Sequence, residues 1–274
     1  MQTYLVADRA RSVKSRLRIL PFKHFKSMSL VSLSAVLFAL LSWSPAVSAQ
    51  GTGMITDRPD LTDSPHAIPL GSVQIEAGFS WEKVSEANVT RLPEGLVRWS
   101  PILGLELRLG VPDWLNDPGG GQGFGDLGLG AKFELGRFGV WDAGVIAGAT
   151  LPTGTEVVSS GGFEPQVAVT AGRDLDLRSS LGVQLSATAP AGEEAVGVLS
   201  TIVLGRDLSE SVGSFIELAI EKGSGETSAS LVHAGLTFAL TPLMQFDIHA
   251  AAGLSGSAPD ALIGFGFSTR RDQR

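Results

Sequence analysis

The sequence predicts an all-β protein: a transmembrane, antiparallel, up-and-down β-barrel of about 12 strands, preceded by a cleaved signal peptide. Three observations predict this fold. Apolar and polar residues alternate in segment after segment of the chain, the connections between segments are short and long in turn, and one apolar run follows a basic N-terminus.

The alternation is clearest in Leu103–Val111 and Phe124–Gly136. In the first, leucines at every second position alternate with Gly104, Glu106, Arg108 and Gly110. A strand turns successive side chains to opposite faces, so one face of each segment is apolar and the other polar or glycine. From Val73 onwards the same pattern indicates strands at 73–81, 91–100, 103–111, 124–136, 141–151, 163–173, 180–189, 196–204, 212–221, 228–240, 244–254 and 261–269.

The connections between these segments are alternately short and long. Those after the even-numbered segments are tight, such as Arg137-Phe138 and Thr241–Leu243. Most of those after the odd-numbered segments are longer, among them Glu82–Thr90, Pro112–Gly123 and Pro152–Gly162. Short turns at one end and longer loops at the other are typical of outer-membrane barrels with both termini in the periplasm.

The apolar face could meet either lipid or a protein core, so a soluble sandwich or barrel is the alternative. The central apolar positions of the twelve segments carry no Asp, Glu, Lys or Arg, which both environments require. The opposite face favours lipid, because it is built of glycine, Ser, Thr, Gln and scattered charges, as an enclosed lumen would be. Segment lengths of about 9–11 residues also match a tilted membrane-spanning strand.

The N-terminus has the three parts of a secretory signal peptide. Seven Lys and Arg residues precede the apolar run Leu30–Leu41, and small residues at Val47 and Ala49 suit cleavage before Gln50. We therefore expect a signal peptide at 1–49, a periplasmic leader or lumen plug at 50–72, and an outer-membrane barrel at 73–274. Residues 50–274 hold 14 Lys+Arg and 27 Asp+Glu, an acidic balance that argues against nucleic acid as a partner.

Several motifs resemble the family named for the MetA pathway of phenol degradation. They are Ile55–Pro65 (ITDRPDLTDSP), Gln74–Phe79 (QIEAGF), Leu92–Arg98 (LPEGLVR), Gly123–Lys132 (GFGDLGLGAK) and Leu151–Gly154 (LPTG). The resemblance implies a bacterial outer-membrane barrel described as a transporter of small, often aromatic or hydrophobic compounds. Such barrels commonly end on an aromatic residue, whereas here Phe267 is followed by seven more residues.

Charged residues on the polar parity are the candidates for lining the lumen: Glu76, Glu94, Arg98, Glu106, Arg108, Asp126, Lys132, Glu134, Glu217, Glu221 and Asp247, together with His249. They could surround a water-filled or partly plugged pore that favours cations and neutral solutes, or they could close the lumen with ion pairs. In the leader, Asp57, Arg58, Asp60 and Asp63 could pair with wall charges as a plug. The alternative is a periplasmic tail.

No enzyme, cofactor or metal is predicted. Gly123–Gly128 fits G-x-G-x-x-G but begins a strand, where a dinucleotide site needs the motif between a strand and a helix. His233 and His249 could face each other on neighbouring strands, in a metal or acid–base role or simply as polar filling.

We therefore expect an outer-membrane channel for passive passage of small solutes, among which the family resemblance implies aromatic or hydrophobic compounds. Its expected partners are outer-membrane lipids, the solutes and the barrel-assembly machinery. The alternatives are a non-conducting structural or surface-interaction barrel and, third, an outer-membrane lipid hydrolase.

Overall fold

The computed structural model describes residues 54–117, 121–193, 196–223 and 228–273. The expected signal peptide at 1–49 lies outside these residues. The described chain is all-β and contains no helix. Its strands are β1 (Val73–Val84), β2 (Ala87–Leu92), β3 (Leu96–Ile102), β4 (Leu105–Gly110), β5 (Trp114–Asp117), β6 (Gly121–Phe124), β7 (Leu127–Phe138), β8 (Trp141–Leu151), β9 (Glu164–Asp174), β10 (Ser179–Thr188), β11 (Gly197–Asp207), β12 (Val212–Lys222), β13 (Ala229–Thr241), β14 (Met244–Gly253) and β15 (Ala261–Arg271).

The sheet closes on itself, because β15 pairs with β1 along eleven residue pairs, from Val73↔Arg271 to Lys83↔Ala261. Three strands are each interrupted once, as β2–β3, β4–β5 and β6–β7, so twelve antiparallel strands form the wall. The predicted closed barrel of about 12 strands is confirmed. The last strand continues past Phe267 to Arg271, so residues after the final aromatic still pair with β1.

The interruptions correct the prediction of continuous segments at 91–100 and 124–136. The first break falls at Pro93-Glu94-Gly95, where proline lacks an N–H and Glu94 has a positive φ of 45°. The third falls at Gly125-Asp126. Backbone hydrogen bonds still span the breaks, including Gly78 N–H to Pro93 O (2.5 Å) and Val111 N–H to Gly95 O (2.8 Å).

Two of the predicted loops are in fact largely strand. Glu82–Thr90 is a tight hairpin turning at residues 85–86, with Ser85 at a φ of 56°. The Asp260 carboxylate accepts a hydrogen bond from the Ser85 N–H (3.0 Å). Much of Pro112–Gly123 forms β5 and β6, which pair with each other. At the long-loop end, the barrel wall is therefore taller than predicted at these two hairpins, β1–β2 and β5–β6.

The barrel is inverted with respect to a soluble protein. Its largest fully buried side chains are mainly charged or polar, led by Arg98 and Lys132. Large apolar side chains in mid-strand point outwards and are exposed, as at Trp99 (46%) and Ile202 (46%). A soluble monomer rarely exposes so extended an apolar surface, because its contact with water is unfavourable. The outer surface is therefore suited to a hydrocarbon environment.

The segment from residue 54 to residue 72, called the leader below, runs inside the barrel. It enters at the end with tight turns and returns there, where Gly71 N–H donates to Ser100 O (2.7 Å) and Ser72 donates to Asp272 (2.7 Å). Its tip, Asp60–Asp63, reaches the middle of β10, β11 and β12. One small apolar cluster lies on the inner wall there: Leu199, Ala219, Ala229, Leu231 and Ala258, with Leu61 packed against it.

Candidate functional site

Asp57 of the leader lies at the centre of a buried group of wall cations. Its carboxylate accepts two hydrogen bonds from the Lys132 ammonium, both of 2.8 Å, and one from Arg108. A guanidinium nitrogen of Arg98 lies 3.3 Å from the same carboxylate. Ser64 N–H also donates to it (3.0 Å), which fixes the bend of the leader. Such a group is stable only when each charge is paired, because burial of a lone charge is very unfavourable.

Strand register explains why the cations meet in one place. Arg98 on β3 pairs with Arg108 on β4, and Glu106 on β4 pairs with Lys132 on β7. Glu106 separates the like charges by accepting from Arg98 through both of its oxygens (2.8 Å each). Glu76 accepts a further bond from Arg98 (2.7 Å). Asp57 adds a carboxylate from the leader that contacts all three cations.

Arg58 forms a second set of ion pairs between the leader and the barrel, separate from those of Asp57. Its guanidinium lies 3.0 Å from Glu94 and 3.4 Å from Asp247. Gly78 and Gly266 make room for it, since a Cβ at either position would collide with the guanidinium. The positive φ of Glu94 accompanies the break between β2 and β3, and its carboxylate also accepts from Ser80 (2.6 Å).

The tip of the leader is bonded to β10, β11 and β12 and to Arg108. Leu61 N–H (2.8 Å) and the Thr62 hydroxyl (2.6 Å) donate to the two oxygens of Glu217 on β12. The Thr62 hydroxyl also lies 2.6 Å from that of Thr201 on β11. Asp63 N–H donates to Gln184 on β10 (2.8 Å), and the Asp63 carboxylate accepts from Arg108 (3.0 Å).

His233 and His249 extend from the same carboxylate. His233 Nδ1 lies 3.0 Å from Glu217, and His233 Nε2 lies 2.8 Å from His249 Nδ1. Both rings are buried, at 3% and 5% exposure. Because Glu217 accepts at Nδ1 of His233, the chain of bonds fixes the orientation of both imidazoles. Within the described residues, no group of three or more His, Asp or Glu is arranged to hold a metal ion.

The returning arm of the leader is bound through its backbone. Ala67 N–H donates to Glu134 (3.2 Å) and Ile68 N–H to Glu106 (3.1 Å). His66 Nδ1 lies 3.2 Å from Glu134. Glu134 and Glu106 thus point into the lumen and each binds the leader.

The predicted lumen residues differ in their locations. Glu76, Arg98, Glu106, Arg108, Lys132, Glu134, Glu217, Asp247 and His249 are buried and bonded inside the barrel, Glu94 is bonded there, and Glu221 is buried on β12. Asp126 does not line the wall. It lies in the break between β6 and β7 and accepts hydrogen bonds from Gly154 N–H, Ser160 N–H and the Ser159 hydroxyl.

Asp126 therefore ties the segment before β7 to the loop between β8 and β9. Partial burial raises the pKa of its carboxyl, but hydrogen bonds from Ser159, Gly154 and Ser160 outweigh burial and hold the pKa below the usual value. The sequence pattern predicts Asp126 in the lumen only if residues 124–136 form one continuous strand, in which inward and outward side chains alternate without a break at Gly125. The glycine on the N-terminal side was the available signal for a break.

Other leader contacts were missed by sequence reasoning because the side chains involved are uncharged. Thr201, Gln184 and Thr170 each bind the leader, the last by donating to Asp63 O (2.5 Å). Their only sequence signal is a polar residue on the inward parity of a strand. Gln245, which binds Thr56 (3.2 Å), belongs to the same class.

A cavity of about 920 Å³ remains between the leader and the strands β9–β14 at the tight-turn end. On the leader side it is lined by Thr56, Arg58 and Asp60, and on the wall side by residues that include Arg206 and Gln245. The leader thus fills the lumen unevenly: its tip contacts the middle of β10–β12, and space remains beside β9–β14 at the tight-turn end. Asp60 borders this space.

The model of the family described as "Putative MetA-pathway of phenol degradation" matches residues 56–270. The chain belongs to this family. The match begins at Thr56, so it includes the leader as well as nearly all of the barrel. No curated protein matches the chain in sequence.

Three solved structures with a similar fold are described as a channel or a porin. The COG4313 outer membrane channel from Pseudomonas putida F1 has a TM-score of 0.60 at 13% identity, covering 75% of this chain and 97% of that one. The KdgM porin has a TM-score of 0.53 at 11% identity, covering 72% and 98%. The NanC porin has a TM-score of 0.50 at 10% identity, covering 74% and 100%. At these identities the likeness establishes the barrel fold.

Among the described residues, no helix is long and apolar enough to cross a membrane.

Proposed function

We propose that this member of the family is an outer-membrane channel for passive passage of small solutes, aromatic or hydrophobic compounds among them, and that its leader is a lumen plug. The observation that carries the proposal is the inversion of the barrel. Exposed apolar side chains cover the outside, and buried charged residues line the inside. Such a barrel is stable where its outer surface is in hydrocarbon and its lumen is hydrated.

The leader supports the second half of the proposal. Its contacts, from Thr56 to Ile68, reach strands around the barrel, including β1, β4, β7, β10 and β12. A segment bonded in this way occupies the lumen, which supports a plug that closes the pore or limits its conductance. The cavity of about 920 Å³ beside β9–β14 is one part of the lumen that the plug leaves free.

The experiment compares the full mature chain with a variant lacking residues 52–70, both reconstituted in vesicles. Liposome swelling is measured with neutral aromatic, cationic and anionic solutes, and single-channel conductance in planar bilayers. We expect higher conductance and faster swelling for the deletion, with anions the slowest class. Unchanged conductance with unchanged stability would remove the plug from the account.

The first alternative is a non-conducting structural or surface-interaction barrel, which the filled lumen favours. It predicts no solute flux from either protein, provided that the deletion variant is folded. Heat modifiability in gel electrophoresis shows whether it is. The second alternative, a lipid hydrolase, would need a Ser–His pair at the lipid side of the outer rim. His233 and His249 lie inside instead, and a phospholipid hydrolysis assay tests this alternative directly.

A further inference from the structure

The leader is attached to the two sides of the lumen by bonds of different kinds. On the β3–β7 side, Asp57 contacts three cations, Arg98, Arg108 and Lys132. Charge-assisted hydrogen bonds of this kind are roughly twice as strong as neutral ones. On the opposite side the tip meets β10–β12 by hydrogen bonds: Leu61 N–H and the Thr62 hydroxyl donate to Glu217, and Asp63 N–H donates to Gln184. The Asp63 carboxylate also pairs with Arg108 (3.0 Å), so the tip contacts one wall cation where Asp57 contacts three.

The free space lies on the β10–β12 side of the lumen. The cavity at the tight-turn end is bordered by Pro59 and Asp60, the residues immediately before the tip contacts. Next along the chain, Leu61 packs against the apolar cluster that includes Leu199 and Leu231. The tip thus ends the cavity, and a small displacement of residues 60–63 would extend it along the inner face of β10–β12.

We propose that the tip, residues 60–63, is the gate of the pore, and that Glu217 is the residue that determines its charge selectivity. This inference rests on the proposed channel function. Displacement of the tip removes the Leu61 and Thr62 donors from Glu217 and leaves its carboxylate beside the passage. A carboxylate at a constriction attracts cations and hydrogen-bond donors and repels anions, so small cations and neutral polar solutes are the favoured class. Asp57 meanwhile keeps the rest of the leader attached.

A reversible cross-link tests the gate. The chain has no cysteine, so introduced pairs are the only thiols. Thr62→Cys with Thr201→Cys joins the tip to β11, where the two hydroxyl oxygens lie 2.6 Å apart, so the introduced sulfur atoms would lie close to each other. The matched control, Ser72→Cys with Asp272→Cys, joins the base of the leader to the C-terminal segment across a 2.7 Å contact. Conductance of each full-length variant is recorded oxidised and then reduced.

We expect oxidation of the tip pair to abolish open-channel current and reduction to restore it, while the base pair conducts equally in both states. Glu217→Gln is expected to move the reversal potential in a KCl gradient from the cation-selective side towards zero. Equal currents in oxidised and reduced tip variants would overturn the gate, and an unmoved reversal potential would overturn the role of Glu217. If the 52–70 deletion is folded yet passes no current, the channel function itself fails, which is a distinct result.

Discussion

Replacement of Asp57 by asparagine tests the leader network at its centre. The change keeps the size of the side chain but removes the charge that accepts both Lys132 hydrogen bonds. Lys132 is fully buried, so its ammonium would lose its carboxylate partner while it remains close to Arg98 and Arg108. Removal of one partner of a buried ion pair typically costs about 3–5 kcal/mol. We expect a loss of that size in the free energy of unfolding if the leader stays docked.

The leader has a second option, which is to leave the lumen. In that case its docking energy limits the loss of stability, and its backbone becomes accessible. An Asp-specific protease reports this state, because Asp60 and Asp63 remain in the variant. Urea titration of protein folded into vesicles measures the first effect, and timed proteolysis measures the second.

A double-mutant cycle separates charge from general disruption. Lys132→Met removes the unpaired ammonium. The double variant Asp57→Asn with Lys132→Met is therefore expected to lose less stability than the sum of the losses in the two single variants. Coupling between contacting residues is typically about 0.5–3 kcal/mol. If the free energy of unfolding of Asp57→Asn is within about 0.5 kcal/mol of the wild-type value and its leader stays protected from proteolysis, the buried-charge reasoning is wrong.

Three further predictions concern the fit of the leader, the loops and the outer surface. Gly144→Ala would place a Cβ 2.6 Å from Pro65 O, so proteolysis of the leader should accelerate, whereas Gly256→Ala, with open space around it, should leave it unchanged. Asp126→Asn should loosen the loop it binds. The pKa of Asp126 is lowered in the folded protein, so in the wild type its contact with the loop is complete above the usual Asp pKa of 3.8. The contact is lost as pH falls through the lower folded-state pKa. Hydrogen exchange of residues 153–160 measures the effect of the substitution and the effect of pH. Ile202→Lys should cost about 2–4 kcal/mol of folding energy in vesicles and Ile202→Val under about 1.5 kcal/mol, so equal stabilities would contradict a lipid-facing position.

The strands were predictable because their signal is local. Alternation in β8, β12 and β14 follows from one face meeting apolar surroundings, and no knowledge of partner strands is needed. The breaks at Glu94 and Asp126 were not found, since each is a local backbone change of two or three residues that periodicity over a longer segment averages away. Proline and glycine at those points were the only hints.

The site was predictable as a set of residues but not as a set of partners. Inward parity selects Arg98, Glu106 and Lys132 one strand at a time, whereas their grouping depends on the register between strands. The leader has no period, so which wall residue meets Asp57 or Thr62 is decided only by three-dimensional fit. Uncharged contacts such as Thr62 with Thr201 leave almost no sequence signal.

The central claim is that the apolar outer surface of the barrel is in contact with hydrocarbon. Trp99 reports on it, because its side chain is outward-facing and 46% exposed. In a variant that keeps Trp99 as its single tryptophan, fluorescence should be strongly quenched by lipids brominated on the acyl chains and hardly at all by aqueous iodide. Strong quenching by iodide with no effect of brominated lipids would place this surface in water and contradict the account.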